Sequence, residues 1–380
     1  MSSTTPTLQW QEHEQIQQRR WLQHANQAVP KRVQIADDSI SADTAYRLAC
    51  EGTGLLWRGD FQNAKNLLQA IARRIDHKPK RTKKTTPITD TPLEAFHKHR
   101  QQQAQRARVL NMLLIEVDAD FHIALRRAPD IKQACREAYS QQDSAFVTSL
   151  RELLGIIGAH EWRKNGVFIA ALQAKIHPYY GIFSPVRGEY LDLIAKAPLP
   201  STELAFDIGT GSGVIAALLA KRGVKKIIAT DLEARALACA AENARNLDVE
   251  SHIEFLQTDL FPPGRAPLIV CNPPWLPVRP NSIIENAIYD PDSRMLKGFL
   301  TGLKDHLEQS GEAWLIMSDL AEHLGLRSRE QLWSSIEHAG LKVAGKMDIR
   351  PQHKKAQDTS DPLHQARVAE ITSLWRLRHQ

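Results

Sequence analysis

From residue 204 onward the chain alternates short apolar runs with stretches of helix-forming residues. Leu204-Ala205-Phe206-Asp207, Lys226-Ile227-Ile228-Ala229-Thr230, Ile253-Glu254-Phe255-Leu256 and Leu268-Ile269-Val270-Cys271 read as buried strands, and Val214–Ala220 and Leu232–Asn246 as helices between them. That order predicts a mostly parallel sheet of α/β type. Further on, 292–309 reads as a helix, 312–318 as a fifth strand, 330–338 as a helix, and 341–349 and 369–377 as strands. Ile371, Trp375 and Leu377 fall on one face at period two, as in an edge or hairpin strand. The first half reads as helical. Over residues 8–75, Leu8 to Val29 is polar and Gln-rich with scattered Trp10 and Trp21, Ser41-Ala42-Asp43 can cap a helix through Leu48, and an amphipathic stretch begins at Gly59. Helical patterns resume from Leu93 to about Ala174, with Leu110, Leu113 and Leu114 at apolar positions, and no repeat of fixed period is present. The organisation expected is a helical N-terminal region over 1–76, a basic linker over 77–92, a helical region over 93–172 that recognises a substrate, and a catalytic α/β domain over 173–380.

The predicted strand ends carry polar residues suited to chemistry. The first runs into Asp207-Ile208-Gly209-Thr210-Gly211-Ser212-Gly213, where glycines permit positive φ and let the backbone approach a ligand at a helix start. The G-x-G-x-G spacing lacks the two-residue gap of a dinucleotide fingerprint. The second strand ends in Asp231, 24 residues after Asp207 and followed by Leu232, a placement that commonly holds a ribose diol. The third leads to Asp259-Leu260, and the fourth ends at Asn272-Pro273-Pro274-Trp275. Two prolines stop that strand, because proline has a fixed φ and no N–H for the ladder. An Asn beside a flat indole can accept a hydrogen bond from a planar –NH2 group and stack on the π-system that carries it. Each residue alone is more often a turn or cap residue, but open α/β sheets gather their ligands at the carboxyl ends of strands.

The order D-x-G-x-G-x-G, acidic strand end, D-L, N-P-P-[aromatic] resembles the class I S-adenosylmethionine-dependent methyltransferases. It is most similar to the branch that methylates planar nitrogens: release-factor glutamine, adenine-amine and exocyclic-guanine methyltransferases. The resemblance spans roughly residues 176–345. It implies a Rossmann-like seven-stranded methyltransferase sheet with an antiparallel last strand pair, and a mainly helical domain before it. It also implies that Asp207, Gly209, Thr210, Gly211 and Gly213 wrap the methionine part of the cofactor. By the same resemblance Asp231 and Leu232 meet the ribose, Asp259 and Leu260 the adenine, and Asn272 to Trp275 the acceptor nitrogen, with Asn272 also beside the cofactor. The glutamine branch usually has Tyr where this chain has Trp275, and Ser184-Pro185-Val186-Arg187-Gly188-Glu189-Tyr190 is a shifted version of its P-R-x-[DE]-x-E segment.

Composition narrows the rest. At 380 residues and 42% hydrophobic content, two domains with packed cores are expected. No run approaches eighteen apolar residues, the start Met1-Ser2-Ser3-Thr4-Thr5 lacks a secretory layout, and Cys50, Cys135, Cys239 and Cys271 form no C-x-x-C. A cytoplasmic protein without metal or membrane partner is expected. The net charge of +6 is unevenly spread: residues 73–108 hold eleven Lys or Arg against three acidic residues. Lys78 to Pro87 reads as an exposed linker or a phosphate-tracking patch, and it carries no interleaved aromatics for base stacking. His177-Pro178-Tyr179-Tyr180-Gly181-Ile182-Phe183 reads as a flap over the cofactor or as a hairpin on the core. The sequence thus points to an N-methyltransferase acting on protein glutamine or on a nucleic-acid amine, the translation machinery among the partners it allows, with a non-enzymatic cofactor-binding module as the remaining alternative.

Overall fold

The structure, a computed structural model, describes residues 6–23, 27–77, 90–139, 142–183, 185, 188–280, 283–351, 358–359 and 361–380. The basic run Lys78–Pro87 lies outside these residues, as do Ser184, Val186 and Arg187. By contacts the chain divides into two compact units, one of Met1–Thr89 with His97–Glu161, the other of Asp90–Phe96 with Trp162–Gln380.

The first unit is built on a six-stranded sheet. Its elements are β1 (Thr7–Glu12), β2 (Gln15–Trp21), β3 (Arg32–Ala36), α1 (Ala42–Cys50), β4 (Thr53–Trp57), α2 (Phe61–Asp76), α3 (Pro92–Leu110), β5 (Leu113–Val117), α4 (Lys132–Ala138), β6 (Phe146–Ser149) and α5 (Leu150–Asn165). The strand order is β1-β2-β6-β5-β4-β3, with β3, β4 and β5 parallel. The expected helical N-terminal half is therefore corrected to a mixed α/β unit. Residues 8–21 form an antiparallel hairpin: Leu8 and Trp10 point into the core while Gln9 and Gln11 face out. The glutamines suit helix as well as an exposed strand face, and cross-strand packing decides for strand. Leu113 and Leu114 likewise lie on β5, buried on both faces, where an apolar run has no period to read. The cap expected at Ser41 is present, and Asp60 supplies a second. Ser41 accepts from the Thr44 N–H at 3.2 Å, and Asp60 accepts from Gln62 and Asn63 to start α2.

The second unit contains β7 (Val167–Ile169), β8 (Ala174–Ile176), α6 (Glu189–Lys196), β9 (Leu204–Ile208), α7 (Val214–Lys221), β10 (Lys226–Asp231), α8 (Ala234–Asn246), β11 (Ile253–Gln257) and β12 (Ala266–Cys271). It continues with α9 (Arg294–His306), β13 (Leu307–Ser318), α10 (Leu320–His323), α11 (Arg329–His338), β14 (Leu341–Ile349), α12 (His364–Ala369) and β15 (Thr372–His379). Its sheet has the order β11-β10-β9-β12-β13-β15-β14, with β15 antiparallel to both neighbours, as the resemblance implied. The helix expected over 292–309 stops at His306, since Leu307 already pairs with Ala266 at the start of β13. The strand expected from Ala369 starts at Thr372, because His364–Ala369 is helical.

Two apolar layers sandwich the sheet. Leu268, Ile269, Val270 and Cys271 are each fully buried, which explains the unbroken apolar run of a strand covered on both faces. Burial of each large side chain contributes about 1.5–3 kcal/mol. At the other side of the sheet the buried Glu312 binds Arg376 twice, at 2.6 and 3.0 Å, and accepts from Trp314 Nε1 at 2.7 Å. These bonds join β13 to β15. The chain winds outward from β9 through β10 to β11, then crosses to β12 on the other side of β9. The crevice at that reversal is where open α/β sheets bind ligands.

Candidate active site

Register brings the predicted strand ends together. Asp207 on β9 is level with Ala229 on β10 and Val270 on β12, so Asp231 and Asn272 emerge on either side of the loop that follows β9. That loop is held in a shape few residues tolerate. Gly209, Gly211 and Gly213 have φ of 70°, 54° and 79°, in the left-handed region. A Cβ on Gly213 would lie 2.8 Å from that of Ala240, and one on Gly209 would meet Met295. At Gly211 a Cβ would meet nothing within 4 Å, so space opens beside the loop at its centre.

Asp207 is completely buried. Its Oδ2 accepts from Thr210 Oγ1 at 2.7 Å and from the Ala216 N–H at 3.1 Å. Its Oδ1 has no hydrogen-bond partner among the described residues. Burial pushes the carboxyl up to about 7, against the pull of Thr210 and the Ala216 N–H. Asp231 closes the loop from the next strand, accepting from the Gly211 N–H at 3.0 Å through Oδ2 and from the Glu233 N–H at 3.0 Å through Oδ1. Leu232 is 57% exposed, an apolar surface beside the loop. Asp259 is exposed and ion-paired with Arg294 at the start of α9. Leu260 holds a positive φ of 69°, and its carbonyl accepts from Thr230 Oγ1 at 2.6 Å. Gly298 and Gly302, one turn apart on α9, leave the room that Leu260 and Phe261 fill. An open space over a glycine loop, an orphaned carboxylate oxygen and an exposed Leu beside an acidic strand end fit a polar ligand with one apolar flat face. The residues present fit S-adenosylmethionine.

The acceptor side is arranged differently. Asn272 leaves β12 half-buried, followed by the buried Pro273 and the half-buried Pro274. Trp275 packs against both apolar layers and donates its Nε1–H to Asn272 Oδ1 at 3.0 Å. The Asn272 amide also lies beside the buried Tyr190 hydroxyl and favours its ionised form. Burial, first, and the nearby Asp207 hold the Tyr190 phenol well above its usual range. The Cys271 thiol is raised by burial, with Asp207 and Asp290 adding to the shift. Asp290 caps the entry to α9 through the Met295 and Leu296 N–H groups at 3.0 and 3.1 Å. Asp290 and Arg294 carry no readable signal in the sequence, and Tyr190 is read there only as the end of the shifted P-R-x-[DE]-x-E segment. Tyr190 sits within an apolar helix pattern, and nothing local separates it from a core residue.

The connector at 177–183 is pinned to α8. The His177 N–H donates to Asn243 Oδ1 at 2.7 Å, Tyr179 Oη donates to Glu242 at 2.7 Å, and Arg235 reaches the Tyr180 carbonyl at 3.1 Å. Asn243 also donates to the Ser212 carbonyl at 3.0 Å, so connector and glycine loop share one anchor. Among the described residues no His, Cys, Asp or Glu cluster could hold a metal, and no helix is long and apolar enough to cross a membrane. All four cysteines are free.

Residues 190–336 match the methyltransferase small domain family. A Methanocaldococcus jannaschii protein described as "Putative protein N5-glutamine methyltransferase" is 31% identical over 160 residues, covering 40% of this chain and 79% of that protein. The release factor glutamine methyltransferase of Cereibacter sphaeroides is 45% identical over 93 residues, 24% of this chain and 34% of its own length. The tRNA1(Val) (adenine(37)-N6)-methyltransferase of Proteus mirabilis is 39% identical over 88 residues, 21% of this chain and 35% of its own. The chain thus spans about a third of the length of the last two relatives.

Proposed function

The chain belongs to the class I S-adenosylmethionine-dependent methyltransferases of the branch that methylates planar nitrogens, and from that premise we propose that it methylates the side-chain amide of a protein glutamine. S-adenosylmethionine is its cofactor and supplies an electrophilic methyl group on a sulfonium sulfur. Asp207, Gly209, Thr210, Gly211 and Gly213 would hold the methionine part, Asp231 with Leu232 the ribose, and Asp259 with Leu260 the adenine.

An amide nitrogen is a weak nucleophile because its lone pair is delocalised into the carbonyl. Asn272 Oδ1 has two lone pairs and the indole takes one, so the other remains for an N–H of the acceptor. Together with the Pro273 carbonyl it would turn the acceptor lone pair toward the methyl carbon. Bound there, the cofactor would supply the methyl group and leave as its neutral thioether, and the nitrogen's surplus proton would pass to water. Rate then comes from positioning and from dipoles already fixed before the reaction, with no dedicated base. The observation that carries this reading is the Asn272 side chain held by the Trp275 indole and lying beside Tyr190, next to the strand that bears Asp207.

Glutamine is preferred over a base because the relative aligned over 79% of its own length is the one described as a glutamine methyltransferase. A nucleic-acid amine is the second reading, supported by the adenine-methylating relative and by the flat indole of Trp275. Incubation of tritium-labelled cofactor with whole-cell extract, followed by protease or nuclease digestion, separates the two. Label in N5-methylglutamine of protein hydrolysates supports the proposal. Label confined to nuclease-sensitive material contradicts it.

A further inference from the structure

Past the end of β13, a cavity of about 700 Å³ opens between α10 and the first turn of α11, lined among others by Glu322, His323, Arg327 and Arg329. It lies on the acceptor side of the sheet. Leu320, Ala321 and Leu324 pack with Leu276, the residue that follows Trp275, and Leu326 packs on the same cluster. The Asp290 N–H donates to the Leu276 carbonyl at 2.8 Å, which ties this cluster to the start of α9.

Arg327 is the anomaly there. Its Nε and Nη2 are buried, and among the described residues they have no hydrogen-bond partner. Among the described residues its guanidinium makes no ion pair either. The neighbouring charges are otherwise matched: Arg329 binds Glu322 at 3.1 Å and sits 3.9 Å from Asp319, which also pairs with His323. Glu322 and Asp290 act on Arg327 only at longer range, and desolvation outweighs them, holding its pKa below the usual value. Arg327 as a whole is half-buried, but two N–H groups buried without partners cost free energy unless a ligand completes them. The N-terminus of α11, a ten-residue helix, also lines the cavity and favours an anion there.

We propose that this cavity is a subsite for a carboxylate of the acceptor polypeptide, an Asp or Glu side chain close to the methylated glutamine, held by the Arg327 guanidinium. The inference rests on the glutamine reading above. A planar fork matches one carboxylate with two parallel N–H···O bonds. A phosphate backbone would instead bring several charges toward Asp319, Glu322 and Glu330, with one uncommitted guanidinium to offset them.

The test uses full-length wild type, Arg327→Met and Arg327→Lys, tritium-labelled cofactor, and blocked heptapeptides with Gln at the centre. In each peptide one flanking position carries Glu, and its control carries Ala there. Wild type should show a KM at least about 10-fold lower for Glu at one position than for its control. Arg327→Met should erase that preference, and Arg327→Lys should keep part of it. Removing an unmatched buried charge should also raise the melting temperature of Arg327→Met by about 2–4 °C. Peptides labelled equally with and without Glu, or a preference that survives in Arg327→Met, would overturn the subsite and leave the glutamine reading intact. A lower melting temperature in Arg327→Met would assign the residue a structural role and overturn it as well. Labelling of a ribo-oligonucleotide with no peptide labelled would remove the glutamine reading, and the subsite with it.

Discussion

On the β9–β10 side of the crevice a polar group is left open, whereas on the β12 side the polar groups are tied to one another. Asp207 Oδ1 is buried without a partner, and the space over Gly211 is empty of protein atoms. Asn272, by contrast, is engaged by the Trp275 indole and lies beside Tyr190, and both Asp290 oxygens bind the start of α9. The cofactor edge therefore carries an unfavourable group that a ligand can relieve. The acceptor edge is already in its working geometry and gains little from relief. Binding at the first should be strongly coupled to stability, and substitutions at the second should act on turnover.

The largest effect expected from this contrast is a pH dependence carried by Asp207. Its folded pKa of about 7 lies above the model-peptide value of 3.8, so the folded protein binds the proton more tightly than the unfolded chain. The stabilisation is fully present below pH 4, declines as pH rises, and is gone above about pH 7. The swing is at most about 4 kcal/mol. Denaturant titrations between pH 5 and 8 should show Asp207→Asn gaining on wild type as pH rises, and a constant difference would break the contrast. Carboxylates held low by arginines, such as Glu12 beside Arg58, lose their contribution in a separate and more acidic window.

A smaller effect sharpens the acceptor side. Trp275→Phe keeps an aromatic ring between the two layers but removes the N–H that fixes Asn272 Oδ1. Loss of one such hydrogen bond, about 0.5–1.5 kcal/mol, predicts a turnover about 3–10-fold lower, with S-adenosylhomocysteine affinity unchanged by calorimetry. A larger change in cofactor affinity than in turnover would place the indole on the other side of the comparison.

The same division separates what the sequence reveals from what it hides. The glycine loop, Asp231, Asp259-Leu260 and Asn272-Pro273-Pro274-Trp275 are legible because each follows its own strand directly, and strand order alone aligns them. The partners that set their state come from distant segments. Tyr190 is on α6, Arg294 at the start of α9 and Arg327 beyond α10, and no local spacing links them to the crevice. The first unit was misread where glutamine-rich alternation in β1 and doubly buried runs in β5 lack a distinctive period. Its cap at Ser41 is legible because a cap is local chemistry.

The central claim is that Asn272 serves the transfer step more than cofactor binding, and the direct test is Asn272→Ala with both quantities measured on one preparation. Turnover on the identified acceptor should fall by ~100-fold or more, the scale of one lost preorganised contact. Affinity for S-adenosylhomocysteine by calorimetry should stay within about threefold, roughly 0.7 kcal/mol. Full turnover in Asn272→Ala would contradict the account, because the amide oxygen would then have no part in presenting the nitrogen to the methyl group.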